Sequence, residues 1–280
     1  MPMRWPSSEE LVDSSTAYNR FAEQYDALLS ENRINRYMRQ QVMREHLGAF
    51  HEGDRLLEIG CGTGDEALAL ASKGCEVVAI DPSEEMLKRG KEKASRSSFG
   101  PRVTFLKGYG RDIARLLGEL GDASFHGAYS SFSLSYERDL NQVRDSLARL
   151  LKPGGSLIVT LMNRLCATEF AIATVALHPS LAGRRLSPII AHKVGAVSTE
   201  VFSRTVAEVK RVFARFFDLR EVRALPAALP PPYLNRIVRR FPSMIDMLEK
   251  IDPASGRLPL VRYLGDHSLF KFRRTGPAHE

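Results

Sequence analysis

The run Leu56-Leu57-Glu58-Ile59-Gly60-Cys61-Gly62-Thr63-Gly64 constrains this chain more than any other feature: an apolar strand passes straight into a three-glycine turn that opens a helical pattern. Glycine tolerates the positive φ such a turn needs, and it lacks the Cβ that would hold a ligand away from the backbone. Downstream, Val77-Val78-Ala79-Ile80-Asp81 ends a second strand on a carboxylate. That spacing is close to the roughly 20 residues at which an acid meets ribose hydroxyls in nucleotide-binding sheets. The turn is spaced GxGxG rather than GxGxxG, and Asp65 stands in the place of the last glycine. An acid at that helix start would repel a pyrophosphate, which argues against a dinucleotide.

Apolar periodicity extends the pattern to a parallel α/β sheet. Strands are expected at 55–59, 76–80, 102–106, 127–131 and 156–161, with helices near 65–73, 83–95, 111–120 and 138–151. Two further helical patterns, about 9–29 and 34–50, precede the first strand. The expected organisation is an N-terminal helical lid over 1–50, a Rossmann-like core over 51–161, an inserted helical cap over 162–203, and a C-terminal completion of the sheet over 204–280. That last part holds a helix near 205–217, strands at 219–225 and 267–272, and an excursion at about 226–264 with one amphipathic helix near 234–250. On that helix Leu234, Ile237, Val238, Phe241, Ile245 and Leu248 are expected on one side, with Arg236, Arg239 and Arg240 near the other.

At 280 residues the chain can bury a large core without staples. Cys61, Cys75 and Cys166 are widely spaced and odd in number, fitting neither a disulfide framework nor a metal-binding motif. A reduced, cytoplasmic protein with no metal is expected. The first 15 residues lack the basic-then-apolar order of a secretory signal, and the longest apolar stretch, 170–177, is far below the roughly 20 residues of a membrane span. Forty Lys and Arg against 33 Asp and Glu give +7, but the basic pairs Arg184-Arg185, Lys210-Arg211 and Arg239-Arg240 are scattered, without interleaved aromatics. This argues against a nucleic acid partner while leaving peripheral membrane contact open.

The loop residues 58–64, Asp81, and Leu150-Leu151-Lys152-Pro153-Gly154-Gly155 before a strand resemble the class I S-adenosylmethionine-dependent methyltransferases. Ala17-Tyr18-Asn19-Arg20-Phe21-Ala22-Glu23-Gln24-Tyr25-Asp26 is similar to the first helix of the small-molecule and quinone methyltransferases of that superfamily. The likeness covers about residues 17–161 and the last two strands. It implies a doubly wound, seven-stranded sheet whose final strand is antiparallel. S-adenosyl-L-methionine would lie at the carboxyl edge of the first strands, with S-adenosyl-L-homocysteine as product. By the same resemblance, Gly60, Cys61, Gly62 and Gly64 would pass the methionine and ribose parts, and Asp81 with Pro82 would meet the ribose hydroxyls. Glu58 would sit near the amino group or orient the loop, Tyr18 and Tyr25 would close the methionine end, and Met86 would pack near the adenine. Ser130, Ser131 and Phe132 would lie by the sulfonium and the acceptor. The sequence departs from relatives at Gly108-Tyr109-Gly110-Arg111-Asp112, where many have an acid directly after the glycine. Tyr109 stacks on the adenine, Asp112 accepts from it, or Tyr109 is simply exposed. His126 stands where relatives often carry Asp and reads as a surface or turn histidine rather than a base.

In-line methyl transfer needs alignment first, and a general base only where the acceptor must lose a proton. His178, His192, Tyr136, Glu200 and Tyr233 are the candidate bases, since they fall in or near the cap and the sheet edge. Ser130 and Ser131 replace the carboxylate that metal-assisted transfer would want after the fourth strand. Pro230-Pro231-Pro232-Tyr233 follows the wrong strand for an adenine-methylating box, and no cysteine is placed for cytosine chemistry. The apolar cap suits a small aromatic, quinone or lipid-like acceptor, or else a dimer contact, in a monomer or homodimer. Alternatives are an RNA or protein methyltransferase, a catalytically silent cofactor-binding scaffold and, more weakly, a dehydrogenase.

Overall fold

Strand β1 (Arg55–Ile59) buries Leu57 and Ile59 on one face and Leu56 and Glu58 on the other. A strand buried on both faces requires helices on both sides of its sheet. The computed structural model describes residues 10–175 and 185–276, apart from the side chains of 235–237. Its main sheet is built from β1, β2 (Glu76–Asp81), β3 (Val103–Lys107), β4 (Phe125–Ser131), β5 (Leu151–Met162), β8 (Phe217–Leu225) and β9 (His267–Arg274). The order is β3-β2-β1-β4-β5-β9-β8. The first five strands pair in parallel, and β9 runs antiparallel to both β5 and β8. The doubly wound, seven-stranded sheet with an antiparallel last strand is therefore present. Strand order reverses between β1 and β4, so the crevice beyond their carboxyl ends is where such sheets bind ligands.

One face carries α5 (Ile113–Leu116), α6 (Leu140–Leu150) and α8 (Val206–Phe213), burying Ile113, Val143, Leu147, Val209 and Phe213 against Leu57, Ile59, Val159 and Phe272. The other carries α2 (Arg33–Ala49) and α3 (Asp65–Ser72), with Met38, Val42, Ala67 and Leu70 over Leu56, Val77, Ala79 and Ile158. Helix α1 (Ser14–Glu31) begins at Asp13, whose carboxylate accepts from the N–H groups of Ser15 and Thr16. Ser83 caps α4 (Glu84–Ser95), and Thr205 with Glu208 forms a capping box on α8.

Residues 163–202 differ from the all-helical reading. Helix α7 (Ala167–Val175) is followed by a hairpin of β6 (Ile189–Val194) and β7 (Val197–Phe202). Branched residues on both sides of the Gly195 turn, whose φ is +61°, favour paired strands over helix. Val194 and Val197 pack on Ala17 and Tyr18 of α1, while Ile190 and Val201 pack on Met162 and Tyr136. The segment before α1 pairs alongside β7: Val12 N–H donates to the Ser198 carbonyl at 2.9 Å, and Ser198 N–H to that of Glu10 at 3.1 Å. The start of the chain and the hairpin are thus one covering layer.

Two helices also differ in extent. α5 is a single turn rather than a helix over 111–120, with Gly118 and Gly121 beyond it. The helix expected over 234–250 is two, α9 (Asn235–Arg240) and α10 (Pro242–Ser255), because Pro242 starts a new helix. That break turns Phe241 out to 51 % exposure, whereas Val238 and Ile245 stay buried as expected. Among the described residues no helix is long and apolar enough to cross a membrane.

Phe213 is fully buried between Phe217 and Phe272, with ring centroids at 5.8 and 5.0 Å. Phe213→Ala should therefore cost about 3–5 kcal/mol in urea unfolding. A loss below about 1 kcal/mol would mean this side of the core can collapse around the gap.

Candidate active site

Gly60, Gly62 and Gly64 all have positive φ, at +75°, +54° and +78°. A Cβ at Gly60 would lie 2.1 Å from Ser133 Cβ, and one at Gly64 would lie 2.9 Å from the Phe105 ring. The loop is pinned from the next strand: Gly60 and Cys61 N–H donate to the Ile80 carbonyl, and Gly62 N–H donates to Asp81 Oδ2 at 2.8 Å. Asp81 Oδ1 accepts from Ser83 N–H at 2.9 Å. Each oxygen keeps a lone pair, so the carboxylate can still take two hydroxyls. Burial pushes the Asp81 carboxyl up to about 6 against the pull of these two N–H groups. Pro82 follows half-buried, and Met86 is buried in the first turn of α4.

Three carboxyls converge under this loop. Glu58 is buried with Tyr129 donating to it at 3.2 Å, and burial together with the nearby Glu66 holds its pKa well above the ordinary range. Burial also raises Glu66, but His46, Arg39 and the Ser131 hydroxyl outweigh it and hold that carboxyl down. His46 Nδ1 lies 3.2 Å from Glu66 Oε2 without hydrogen-bond alignment, and Ser131 donates to Glu66 at 2.6 Å. Arg39 from α2 donates to the Tyr25 hydroxyl and acts on Glu58 and Glu66. A site with this excess of acid suits a ligand that brings positive charge.

Helix α1 covers the loop. Tyr25 Oη would stand 3.5 Å from a Cβ at Gly62. Asn19 accepts from Ser83 Oγ at 2.7 Å and from Glu85 N–H at 3.1 Å, and Asp26 accepts from Thr63 Oγ1 at 2.7 Å and pairs with Lys93. Tyr18 meets Tyr136 hydroxyl to hydroxyl at 2.7 Å. The cavity left among Tyr25, Arg39, Glu58, Gly60, Cys61 and Ser131 is about 20 Å³, room for about one water.

On the side of β3, Gly108 and Gly110 are buried and Tyr109 is tied down. Its hydroxyl donates to Asp13 at 3.0 Å, and the Arg111 guanidinium lies 3.8 Å from its ring centroid. Asp112 accepts from the Tyr109 N–H at 2.9 Å, so it serves its own turn. Beyond β4, Ser130 bonds to Ser133, whose hydroxyl is 2.6 Å from the Ile59 carbonyl. Phe132 sits at φ +64°, its ring edge-on to His267 at 5.1 Å.

A second cavity, of about 420 Å³, opens between the segment leading into α1, the turns after β3 and β4, and the hairpin; Val12, Tyr109, Arg111, Tyr136, Glu200 and Phe202 are among its walls. Two of the candidate bases, Tyr136 and Glu200, meet there, and His192 stacks edge-on to Tyr136 at 6.3 Å. Burial raises the Tyr136 phenol, so it stays protonated and suits a hydrogen-bond donor better than a base. Tyr233 lies elsewhere, in a turn before α9 and 40 % exposed. His178 lies outside the described residues. His126 stands at the opposite, amino end of β4, with the Arg55 N–H donating to its Nδ1 and Lys152 beside its Nε2. Sequence reasoning missed Arg39, Glu66, His46, Asn19 and Ser133. Arg39 and Asn19 lie in helices whose face toward the loop depends on packing, and Ser133 touches Gly60 only through the sheet.

One group of potential metal ligands occurs among the described residues, Cys166, Glu169 and Asp266. The cation between its carboxylates is already the Arg185 guanidinium.

A family model described as "Methyltransferase domain" matches residues 56–155. The chain is 28% identical over 148 residues to a demethylmenaquinone methyltransferase of Symbiobacterium thermophilum, covering 50% of this chain and 55% of that one. It is 32% identical over 108 residues to the ubiquinone/menaquinone biosynthesis C-methyltransferase UbiE of Geotalea daltonii, covering 38% and 44%. The chain spans about half the length of the curated relatives it matches. Its fold is similar to the CcbJ methyltransferase from Streptomyces caelestis, with a TM-score of 0.61 at 17% identity over 95% of this chain and 100% of that one.

Asp81 generates a pH signature. A carboxyl whose folded pKa of about 6 lies above its ordinary 3.8 binds its proton more tightly when folded. Wild-type stability should therefore fall as pH rises from about 4 to about 6, by up to about 3 kcal/mol. Asp81→Asn should lack this slope in urea titrations, gaining on the wild type toward pH 7 whatever its stability at low pH. Parallel profiles for the two proteins would show that Asp81 is not strained by burial.

Proposed function

We propose that this chain, which belongs to the class I S-adenosylmethionine-dependent methyltransferase superfamily, transfers a methyl group from S-adenosylmethionine to a small, apolar or aromatic acceptor of quinone type. The observation that carries the reading is the three-glycine loop held against Asp81, over a pocket rich in carboxyls. The cofactor supplies an electrophilic methyl group on a positively charged sulfonium. Asp81 would accept from the ribose hydroxyls. Glu58 would give up its proton to pair with the amino group, since an entering cation reverses the cost of its burial. Arg39 would meet the carboxylate, and Tyr18 and Tyr25 would close over the methionine end and exclude water.

The 20 Å³ cavity is too small for a nucleoside, so α1 must move aside to admit one. In this reading residues 1–50 form a lid, 51–161 the cofactor-binding core, 162–203 a cap over the acceptor and 204–280 the completion of the sheet. The cavity of about 420 Å³ is in the range of small-molecule sites. Its Phe202, Tyr136 and Val12 walls suit a flat ring, and the relatives named for quinone methylation support that class.

Calorimetric titration with S-adenosylhomocysteine tests the cofactor. Micromolar binding is expected, weakened about tenfold or more in Asp81→Asn through loss of charge-assisted hydrogen bonds. Binding of NAD instead, or of neither, would overturn the assignment.

A further inference from the structure

One side of α10 is apolar and uncovered. Met244, Met247, Ile251 and Ala254 recur at spacings of three and four residues, so they share a side of the helix. The inner side is fixed by Ile245, fully buried, and by Asp252, which accepts from the Tyr37 hydroxyl at 2.9 Å and from the N–H groups of Ala227 and Ala228. Phe241 before the helix, Met244, Met247 and Ile251 within it, and Leu258 and Leu260 after it are each between 41 and 75 % exposed. Single exposed apolar residues are ordinary on a protein surface, but a contiguous row of them marks a contact face. Leu260 is moreover held at φ +69°, a conformation that leucine rarely adopts and that costs free energy.

The charges of α10 are sorted about this stripe. Asp246 and Glu249 lie on the far side of the helix, where Arg33 pairs with them at 2.5 and 2.7 Å. Lys250, one turn from both Met247 and Ala254, borders the stripe, and Arg239 and Arg240 stand exposed just before Phe241. Among the described residues none of these three cations has an acidic partner. An apolar strip edged by unpaired cations is complementary to a surface that is anionic outside and apolar beneath, which is the face of an anionic lipid bilayer. A second copy of the chain fits this face less well, since it would bring the same unpaired cations together in a chain that already carries +7.

We propose that α10 and the turns flanking it dock on an anionic bilayer, the apolar stripe entering the headgroup layer while Arg239, Arg240 and Lys250 meet lipid phosphates and carboxylates. The helix, about 20 Å long, lies flat in that layer. None of these residues lines either cavity, so docking leaves both open to their ligands. The docking face is independent of the methyltransferase reading. It is nevertheless consistent with it, because a bilayer is where an apolar acceptor of the class proposed above dissolves.

The test is sedimentation of the full chain with vesicles of equal parts phosphatidylcholine and phosphatidylserine, against vesicles of phosphatidylcholine alone. The wild type should partition to the anionic vesicles about tenfold more strongly than to the neutral ones, and less so as salt is raised. Met244→Ser, Met247→Ser and Ile251→Ser combined should weaken partitioning to the anionic vesicles about tenfold or more, through loss of the inserted apolar surface. Arg239→Gln, Arg240→Gln and Lys250→Gln combined should remove the preference for anionic lipid. All six side chains are exposed, so both variants should keep the wild-type circular dichroism and urea midpoint. No binding by the wild type, equal binding to the two kinds of vesicle, or equal binding by the wild type and the apolar variant would each overturn the proposal. Self-association of the free protein that the apolar variant abolishes would give the face to a second copy and overturn it as well.

Discussion

The hydrogen bond from the Gly62 N–H to the buried Asp81 carboxylate is the constraint on which the rest of the site depends. It joins the turn after β1 to the end of β2 and holds the loop at φ values that only glycine adopts freely. Because Ser133 fills the space where a Gly60 Cβ would be, the turn after β4 is set by the same loop. Three strand ends are thereby brought to one point, at the place where strand order reverses. Burial opposes the charge on Asp81, so the geometry is held at some cost to stability, as is common where a site is shaped for a ligand rather than for the empty protein.

Around that point the charge is unbalanced in a directed way. Glu58, Glu66 and Asp81 are buried, with half-buried Arg39 as a nearby permanent cation. A hydrophobic substitution would relieve the strain of such a set, yet it would also remove the attraction for a cationic ligand. Helix α1 adds to this set through Tyr25 and Asp26. Since the segment before α1 pairs with β7, the start of the chain and the hairpin that walls the larger cavity form one layer.

Much of this was legible in the chain itself. The alternation of apolar runs with helical patterns located all seven strands of the sheet, since a parallel strand buried on both faces has few polar positions to confuse its reading. The glycine loop and Asp81 were recognisable because their chemistry needs those residue types at close sequence separation. The hairpin at Ile189–Phe202 was read as helix because its apolar residues, taken without partners, fit either period. The break at Pro242 was passed over because an apolar stripe seemed to continue through it.

Sequence alone determined the sheet, the loop and its acid, since each follows from local periodicity or from glycine and carboxylate chemistry within a few tens of residues. Tertiary structure alone decided which distant groups join them. Arg39 reaches the pocket from a helix before the first strand, and Tyr136 meets Tyr18 across 118 residues. His267 meets Phe132 only because β9 inserts antiparallel between β5 and β8. Side-chain direction at such positions is set by packing and by the register of pairing, neither of which leaves a periodic mark on the chain.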